Sequence, residues 1–168
     1  QTQGNAYSFN GTNTYAKLGE MLKDVKTIEF WIKPNSSINV SSDIQPVLVR
    51  DIDGMAFIGY EEFALFFDGS QGVNPGKLTF RVGDGTQNAT IYSDRNTWNA
   101  DQWYHVAAVV DPVEGMMLFI DGKKQTSTHE YSEATGNSTR KTTIGCWGDL
   151  YIRFFEGKID DIRFSSEA

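Results

Sequence analysis

Two neighbouring segments decide how this chain is read: Trp103-Tyr104-His105-Val106-Ala107-Ala108-Val109-Val110-Asp111 and Met116-Met117-Leu118-Phe119-Ile120-Asp121-Gly122-Lys123. Extended, the first places Trp103, His105, Ala107 and Val109 on one face and Tyr104, Val106, Ala108 and Val110 on the other, because side chains alternate along a strand. Apolar residues on both faces require cover on both faces. The second segment runs into Asp121-Gly122, the dipeptide that suits a type I′ turn, where both central residues need positive φ. The pair therefore reads as a β-strand buried on both sides, followed by a strand that turns sharply back on itself.

Working outward, short β-rich runs alternate with turn clusters along the whole chain. Strands are expected at Ala6–Phe9, Thr27–Lys33, Gln45–Arg50, Ala56–Tyr60, Glu62–Asp68, Lys77–Val82 and Ala89–Tyr92. They continue at Trp103–Asp111, Met116–Ile120, Lys123–Ser127, Lys141–Ile144, Arg153–Glu156 and Lys158–Arg163. Asp53-Gly54, Asp68-Gly69, Asn74-Pro75-Gly76, Gly83-Asp84-Gly85 and Asp121-Gly122 punctuate them. Helical periodicity is confined to one expected turn near Lys17–Asp24. The polar stretches Asn35–Asp43 and Glu130–Lys141 read as loops within one domain, since no repeat or low-complexity linker interrupts the pattern. At 168 residues the chain is one domain, 1–168, long enough to bury a substantial core. Strand-like segments at both ends suggest neighbouring termini that close one sheet.

These motifs, in this order, resemble the LamG-like, concanavalin A-like jelly-roll family of lectins and glucanases. The resemblance rests on the Trp-x-His-Val-Ala strand at Trp103 and the Asp121-Gly122-Lys123 hairpin. It includes the closing run Gly157-Lys158-Ile159-Asp160-Asp161-Ile162-Arg163-Phe164, and the opening segments Ala6-Tyr7-Ser8-Phe9-Asn10-Gly11 and Thr27-Ile28-Glu29-Phe30-Trp31-Ile32-Lys33-Pro34. It implies an all-β fold, a two-sheet antiparallel sandwich. Function does not follow, because unrelated activities share such scaffolds.

Charge narrows the partners. A net charge of −7 argues against nucleic acid, whose phosphates demand clustered Lys and Arg. No apolar run reaches the roughly 20 residues of a membrane-spanning helix, so no membrane insertion is expected. The numbering starts at Gln1 without a signal peptide, which fits a mature chain or an excised domain. Cys146 has no internal partner and reads as a small buried residue. A disulfide-free chain of this kind suits a bacterial surface domain. Asn-x-Ser/Thr matches at Asn10, Asn35, Asn39, Asn88 and Asn137 arise readily by chance in a chain this rich in Asn, Ser and Thr.

Catalytic patterns are missing. Retaining glycosidases hold two carboxylates about 5–5.5 Å apart, and in related glucanases both stand on one strand at alternate positions. Glu61-Glu62 and Asp160-Asp161 are adjacent, so each pair points to opposite faces, while Asp51 and Asp53 fall in a turn. His105 belongs to the strand motif and reads as structural; His129 lies in a polar region and reads as exposed.

Two binding chemistries remain. In domains of the resembling fold a structural calcium commonly bridges the loop after the first strand and the last strand. The matching positions are Asn10, Gly11 and Asn13 with Asp160 or Asp161, although Asn10 and Asn13 stand where acidic residues are common. The bland alternative has Asp160 capping a turn or pairing with Arg163. Sugar recognition needs aromatic rings with polar neighbours, and Trp98, Trp147, Tyr151 and Tyr60 stand near loop signals with Asp149 beside them. Trp147-Gly148-Asp149-Leu150-Tyr151 is the strongest local cluster, against the plainer reading that Trp147 covers an edge of the core. Trp31 and Trp103 read as core. The sequence is thus read as a non-catalytic, secreted or surface-displayed recognition module, monomeric as a domain, with a glycan or an extracellular protein as its ligand. A glycoside hydrolase or lyase with residues from separate strands, and a structural spacer or protein–protein adhesion domain without a glycan ligand, are the alternatives.

Overall fold

The computed structural model describes residues 6–19, 24–35, 38, 43–51, 61–83, 88–131, 141–148 and 152–168. Its strands are β1 (Tyr7–Asn10), β2 (Ala16–Lys17), β3 (Thr27–Pro34), β4 (Gln45–Asp51), β5 (Glu61–Phe67), β6 (Leu78–Gly83) and β7 (Asn88–Tyr92). They continue as β8 (Tyr104–Asp111), β9 (Gly115–Ile120), β10 (Lys123–Lys124), β11 (Thr143–Ile144), β12 (Cys146–Trp147), β13 (Ile152–Phe154) and β14 (Glu156–Ser165). Sheet A has the order β1-β14-β3-β8-β9-β10 and sheet B the order β2-β11-β4-β5-β6-β7; β12 and β13 form a separate ribbon. All the pairings are antiparallel. No helix among the described residues is long and apolar enough to cross a membrane.

The two sheets bury one core between them. Strand β3 alternates strictly, with Ile28, Phe30 and Ile32 inward and Thr27, Glu29, Trp31 and Lys33 outward and part-buried. The decisive strand β8 sends Tyr104, Val106, Ala108 and Val110 into that core, while Ala107 and Val109 on its outward face are also nearly covered. Asp121 and Gly122 have φ of +51° and +75°, the two positive values that a type I′ turn requires. The Asp121 carboxylate accepts the backbone N–H of His105 at 2.9 Å, locking the turn to the start of β8.

The termini meet as expected: β1 lies against β14 with Tyr7 opposite Ile159 and Asn10 opposite Glu156. Gly157, in the closing motif, has φ of +151°, and a Cβ there would fall 2.4 Å from the Lys33 carbonyl oxygen. Only glycine allows β14 to run this close to β3.

Some expectations change. The helical turn at Lys17–Asp24 gives way at its start to β2, whose Ala16 and Lys17 pair with β11; residues 20–23 lie outside the described region. The strand at Ala56–Tyr60 also lies outside it. Lys123–Ser127 contracts to two residues, and the Gly-containing stretch at Cys146–Trp147 starts as a short strand.

Candidate functional site

Sheet B carries a groove on its outward face. In β6, Leu78, Phe80 and Val82 point into the core, and in β7 Ala89 and Ile91 do the same. Thr79 and Arg81 therefore point outward, as do Thr90 and Tyr92. The register sets Thr79 opposite Tyr92 and Arg81 opposite Thr90, so four polar-tipped side chains form a square on adjacent strands. Phe66 of β5 and Ile44 add an apolar floor, and the loop bearing Asp68, Gly72, Val73 and Asn74 forms a wall; the cavity is about 350 Å³. The Arg81 guanidinium lies 5.2 Å from the centre of the Phe66 ring, and Lys77 Nζ lies 5.9 Å from that of Tyr92.

The wall is held from several directions. Asp68 is buried and its Oδ2 accepts the backbone N–H of Asn74 at 2.8 Å. A Cβ on Gly72 would fall 1.9 Å from Asp68 Oδ1, so the loop can close over the carboxylate only with glycine there. Backbone bonds from Gly76 N to Asp68 O and from Asp68 N to Lys77 O, each 2.9 Å, cross-brace its base.

Two of the tryptophans weighed for sugar stacking serve this groove from beneath, and Trp147 follows its plainer reading as cover for the core. Trp98 is 3% exposed, packed edge-on against Phe67 and Tyr104 at 5.0 and 4.9 Å, and its Nε1–H donates to the Gly76 carbonyl at 2.8 Å. It anchors the groove wall instead of presenting a ring to solvent. Trp147 is 0% exposed and meets Phe66 edge-on at 5.3 Å, in a second small cluster with Val49 and Ala64. Both rings are unavailable for stacking on a sugar, because the chain folds inward at each. Asp149, Tyr151 and Tyr60 lie outside the described residues. Trp31, expected in the core, stands on the outward face of sheet A. Cys146 is buried, and its carbonyl accepts the Thr143 hydroxyl at 3.0 Å.

Glu62, one of the carboxylates weighed for catalysis, has another partner. Glu62 Oε2 lies 2.9 Å from Arg50 Nε, with both side chains less than a tenth exposed, and removing either partner would strand a buried charge. His129 Nδ1 accepts the N–H of Tyr131 at 3.1 Å.

The positions matched to a calcium clamp do not converge. Asn10 stands opposite Glu156, which puts Asp160 four residues further along β14, roughly 13 Å away at 3.3 Å per residue. Asn10 Oδ1 is already the centre of a turn. It accepts the backbone N–H groups of Thr12, Asn13 and Thr14 at 3.0, 3.0 and 3.1 Å and the Thr14 hydroxyl at 2.6 Å. Asn13 Oδ1 accepts Asn10 Nδ2–H at 2.8 Å, Asp160 Oδ1 accepts Asp161 N–H at 2.9 Å, and Asp161 holds Arg163. Calcium needs six to eight oxygens turned toward one point, whereas this turn directs donors toward one oxygen. The arrangement does not fit the ion. Among the described residues, no three or more His, Cys, Asp and Glu side chains group to hold a metal.

Comparison with known proteins places this architecture. The fold is similar to that of the K499G mutant of NanB sialidase from Streptococcus pneumoniae, at 16% identity and a TM-score of 0.75, covering 98% of this chain and 26% of that one. The chain thus spans about a quarter of that sialidase. Domain 4 of AbnA, a GH43 extracellular arabinanase from Geobacillus stearothermophilus, solved with arabinotriose, matches at 18% identity and a TM-score of 0.69 over 98% of this chain and 71% of that one. The Ruminococcus gnavus IT-sialidase CBM40 bound to α2,3-sialyllactose matches at 16% identity and a TM-score of 0.72 over 98% and 90%. No curated protein sequence matches the chain. Likeness at these identities shows a shared fold. The family model for Laminin_G_3 covers residues 10–168, nearly the whole β-sandwich described above, and the chain belongs to the concanavalin A-like lectin/glucanases superfamily.

Proposed function

We propose that this domain is a non-catalytic glycan-recognition module and that its ligand sits in the groove over sheet B. The observation that carries this reading is the square of Thr79, Arg81, Thr90 and Tyr92 above Phe66. It offers hydroxyls, a guanidinium and a phenol ring around an apolar floor, which is how small polar ligands are oriented in shallow sites. Two of the similar domains were solved with sugars, arabinotriose in one and α2,3-sialyllactose in the other. That supports a sugar over a protein as the occupant. Among the described residues, Asp68 is the single carboxylate lining the groove, and it is already bonded to Asn74. Glycoside hydrolysis ordinarily requires two, so binding without cleavage is the favoured chemistry. With a net charge of −7, the domain suits an accessory role in a larger secreted or surface-displayed protein.

A glycan array spanning neutral and sialylated oligosaccharides, followed by calorimetry on the best ligand, tests this. Tyr92→Ala should weaken binding about tenfold through loss of the ring, with the melting temperature nearly unchanged. A chain that binds no glycan at all would overturn the reading and leave a structural spacer. Release of reducing sugar would instead make it an enzyme.

A further inference from the structure

Sheet A also presents a depression, on the face opposite the groove. It has a volume of about 290 Å³ and is lined by Glu29 and Trp31 of β3, His105 of β8, and Asp161 and Arg163 of β14. We propose that it is a second saccharide site, for a neutral sugar, so that the domain grips glycans on both of its broad faces. The inference rests on reading the domain as a glycan binder.

Three adjacent strands build the site. The register places Trp31 beside His105 on one side and Asp160 on the other, and Glu29 beside Arg163. The Trp31 and His105 ring centres are 5.1 Å apart. His105 Nε2 lies 3.9 Å from Glu29 Oε1, with the two side chains 29% and 39% exposed. Arg163 donates to both Asp161 oxygens, from Nε at 3.3 Å and from Nη2 at 2.8 Å. The Trp31 indole stands part-buried at an outward strand position with polar groups around it.

The backbone is irregular at the same spot. The register of β14 shifts between Asp160 and Arg163, and Asp161 within that irregularity has φ of +51°. Bulges re-aim side chains, and aspartate enters the left-handed region more readily than most residues. Here it turns the Asp161 carboxylate toward Arg163.

The chemistry selects the ligand. Glu29 and Asp161 accept hydrogen bonds, Arg163 donates, and the His105 ring adds a further polar edge. The indole supplies a flat apolar surface for the C–H face of a pyranose. An anionic ligand would meet two carboxylates and compete with Asp161 for Arg163. A cationic one would face Arg163 across the pocket. A neutral polyol satisfies donors and acceptors without breaking the Arg163–Asp161 ion pair, and the volume suits a single sugar unit at the lower limit of small-ligand sites.

The experiment is a titration of the isotope-labelled chain with maltotriose, lactose and N-acetylglucosamine, with glucuronate and choline as charged probes, monitored by NMR. The Trp31 indole N–H and His105 ring signals should shift with at least one neutral sugar, saturating in the millimolar range, and glucuronate should bind about tenfold more weakly. Glu29→Gln, at a part-buried position, and Arg163→Ala, at an exposed one, should each weaken that response about tenfold while leaving sugar-induced shifts at Tyr92 unchanged. Shifts at Tyr92 without any at Trp31 would overturn the second site and leave the groove standing. Shifts at neither would overturn the second site, while the groove is decided separately by the glycan array. A tighter response to choline or glucuronate than to every neutral sugar would overturn the ligand class.

Discussion

The groove over sheet B and the depression over sheet A use the same device, alternate residues on antiparallel strands, with opposite support. Behind the groove the sheet is apolar on both sides: Val49, Ala64, Phe66 and Trp147 form a second cluster outside the main core. Its shape is set by packing. In the depression over sheet A, exposed ion pairs stand directly on the strands, Arg163–Asp161 with side chains 67% and 47% exposed. Its shape is set by charge in contact with water. Packing is costly to disturb and indifferent to salt, whereas exposed pairs are cheap to remove and screened by salt. The difference teaches that a preorganised site and an adjustable one can occupy opposite sides of one sandwich.

Substitutions can break that contrast, the largest effect coming first. Phe66→Ala removes a side chain only 2% exposed from the second cluster. It should destabilise the domain by about 3–5 kcal/mol in urea unfolding, while Arg163→Ala on the opposite face should cost under about 0.5 kcal/mol and lose even that in high salt. Equal effects would mean that the groove floor is not a packed element.

The Asn10 turn should come next. Asn10→Ala strips one acceptor from four donors and should cost about 1–2 kcal/mol, as loss of a helix cap does. The melting temperature of the unsubstituted protein should be the same in calcium and in EDTA. A calcium-dependent rise that disappears in Asn10→Ala would show the turn to be a cation site after all.

The two buried tryptophans sharpen the comparison inside the molecule. Trp98→Phe loses the bond to Gly76 and should cost about 1 kcal/mol from that bond, besides loosening the groove wall and weakening glycan binding. Trp147 Nε1 is buried with no hydrogen-bond partner among the described residues. Replacing it with Phe relieves that N–H but opens a small void, so the net change in unfolding free energy should be the smaller of the two.

The smallest effect is in acid. Thr126, through its hydroxyl and then its backbone N–H, holds the Asp94 carboxyl below its ordinary value. The backbone N–H groups of Glu114 and Val113 do the same for Asp111. A carboxylate with a depressed folded pKa contributes stability above its unfolded value, and that contribution is lost as pH falls through the folded one. Thermal melts should therefore be flat near neutrality and decline below the ordinary aspartate range, less steeply in Asp94→Asn.

Much of the fold was legible because it is written in local chemistry. Alternation over β3 and β8, the Asp121-Gly122 turn and the pairing of the terminal strands each rest on a rule of strand or turn geometry. Strand β2 was not legible, since two residues give no period to count. The site was harder. An aromatic residue near a glycine looks alike whether the loop folds it out or in, and Trp98 and Trp147 both fold in. Yet a usable signal was present: Thr79 and Arg81 alternate with Leu78, Phe80 and Val82, and Thr90 and Tyr92 with Ala89 and Ile91. Two polar faces on neighbouring strands predict a polar square wherever the hairpin register aligns them. Trp31 was assigned inward from its motif, although the same alternation that buries Phe30 turns it outward.

The turn at Asn10 bears on how the protein ages. Asparagine followed by glycine is prone to spontaneous deamidation, in which the next backbone nitrogen attacks the side-chain amide carbon, ammonia leaves and water reopens the cyclic imide. In this molecule that nitrogen, on Gly11, donates to the Phe155 carbonyl at 3.0 Å, while the Asn10 carboxamide is pinned by its own donors. Attack requires the edge of the sheet to open first. The same contacts that shape the turn therefore tie its chemical lifetime to how often the first strand lets go.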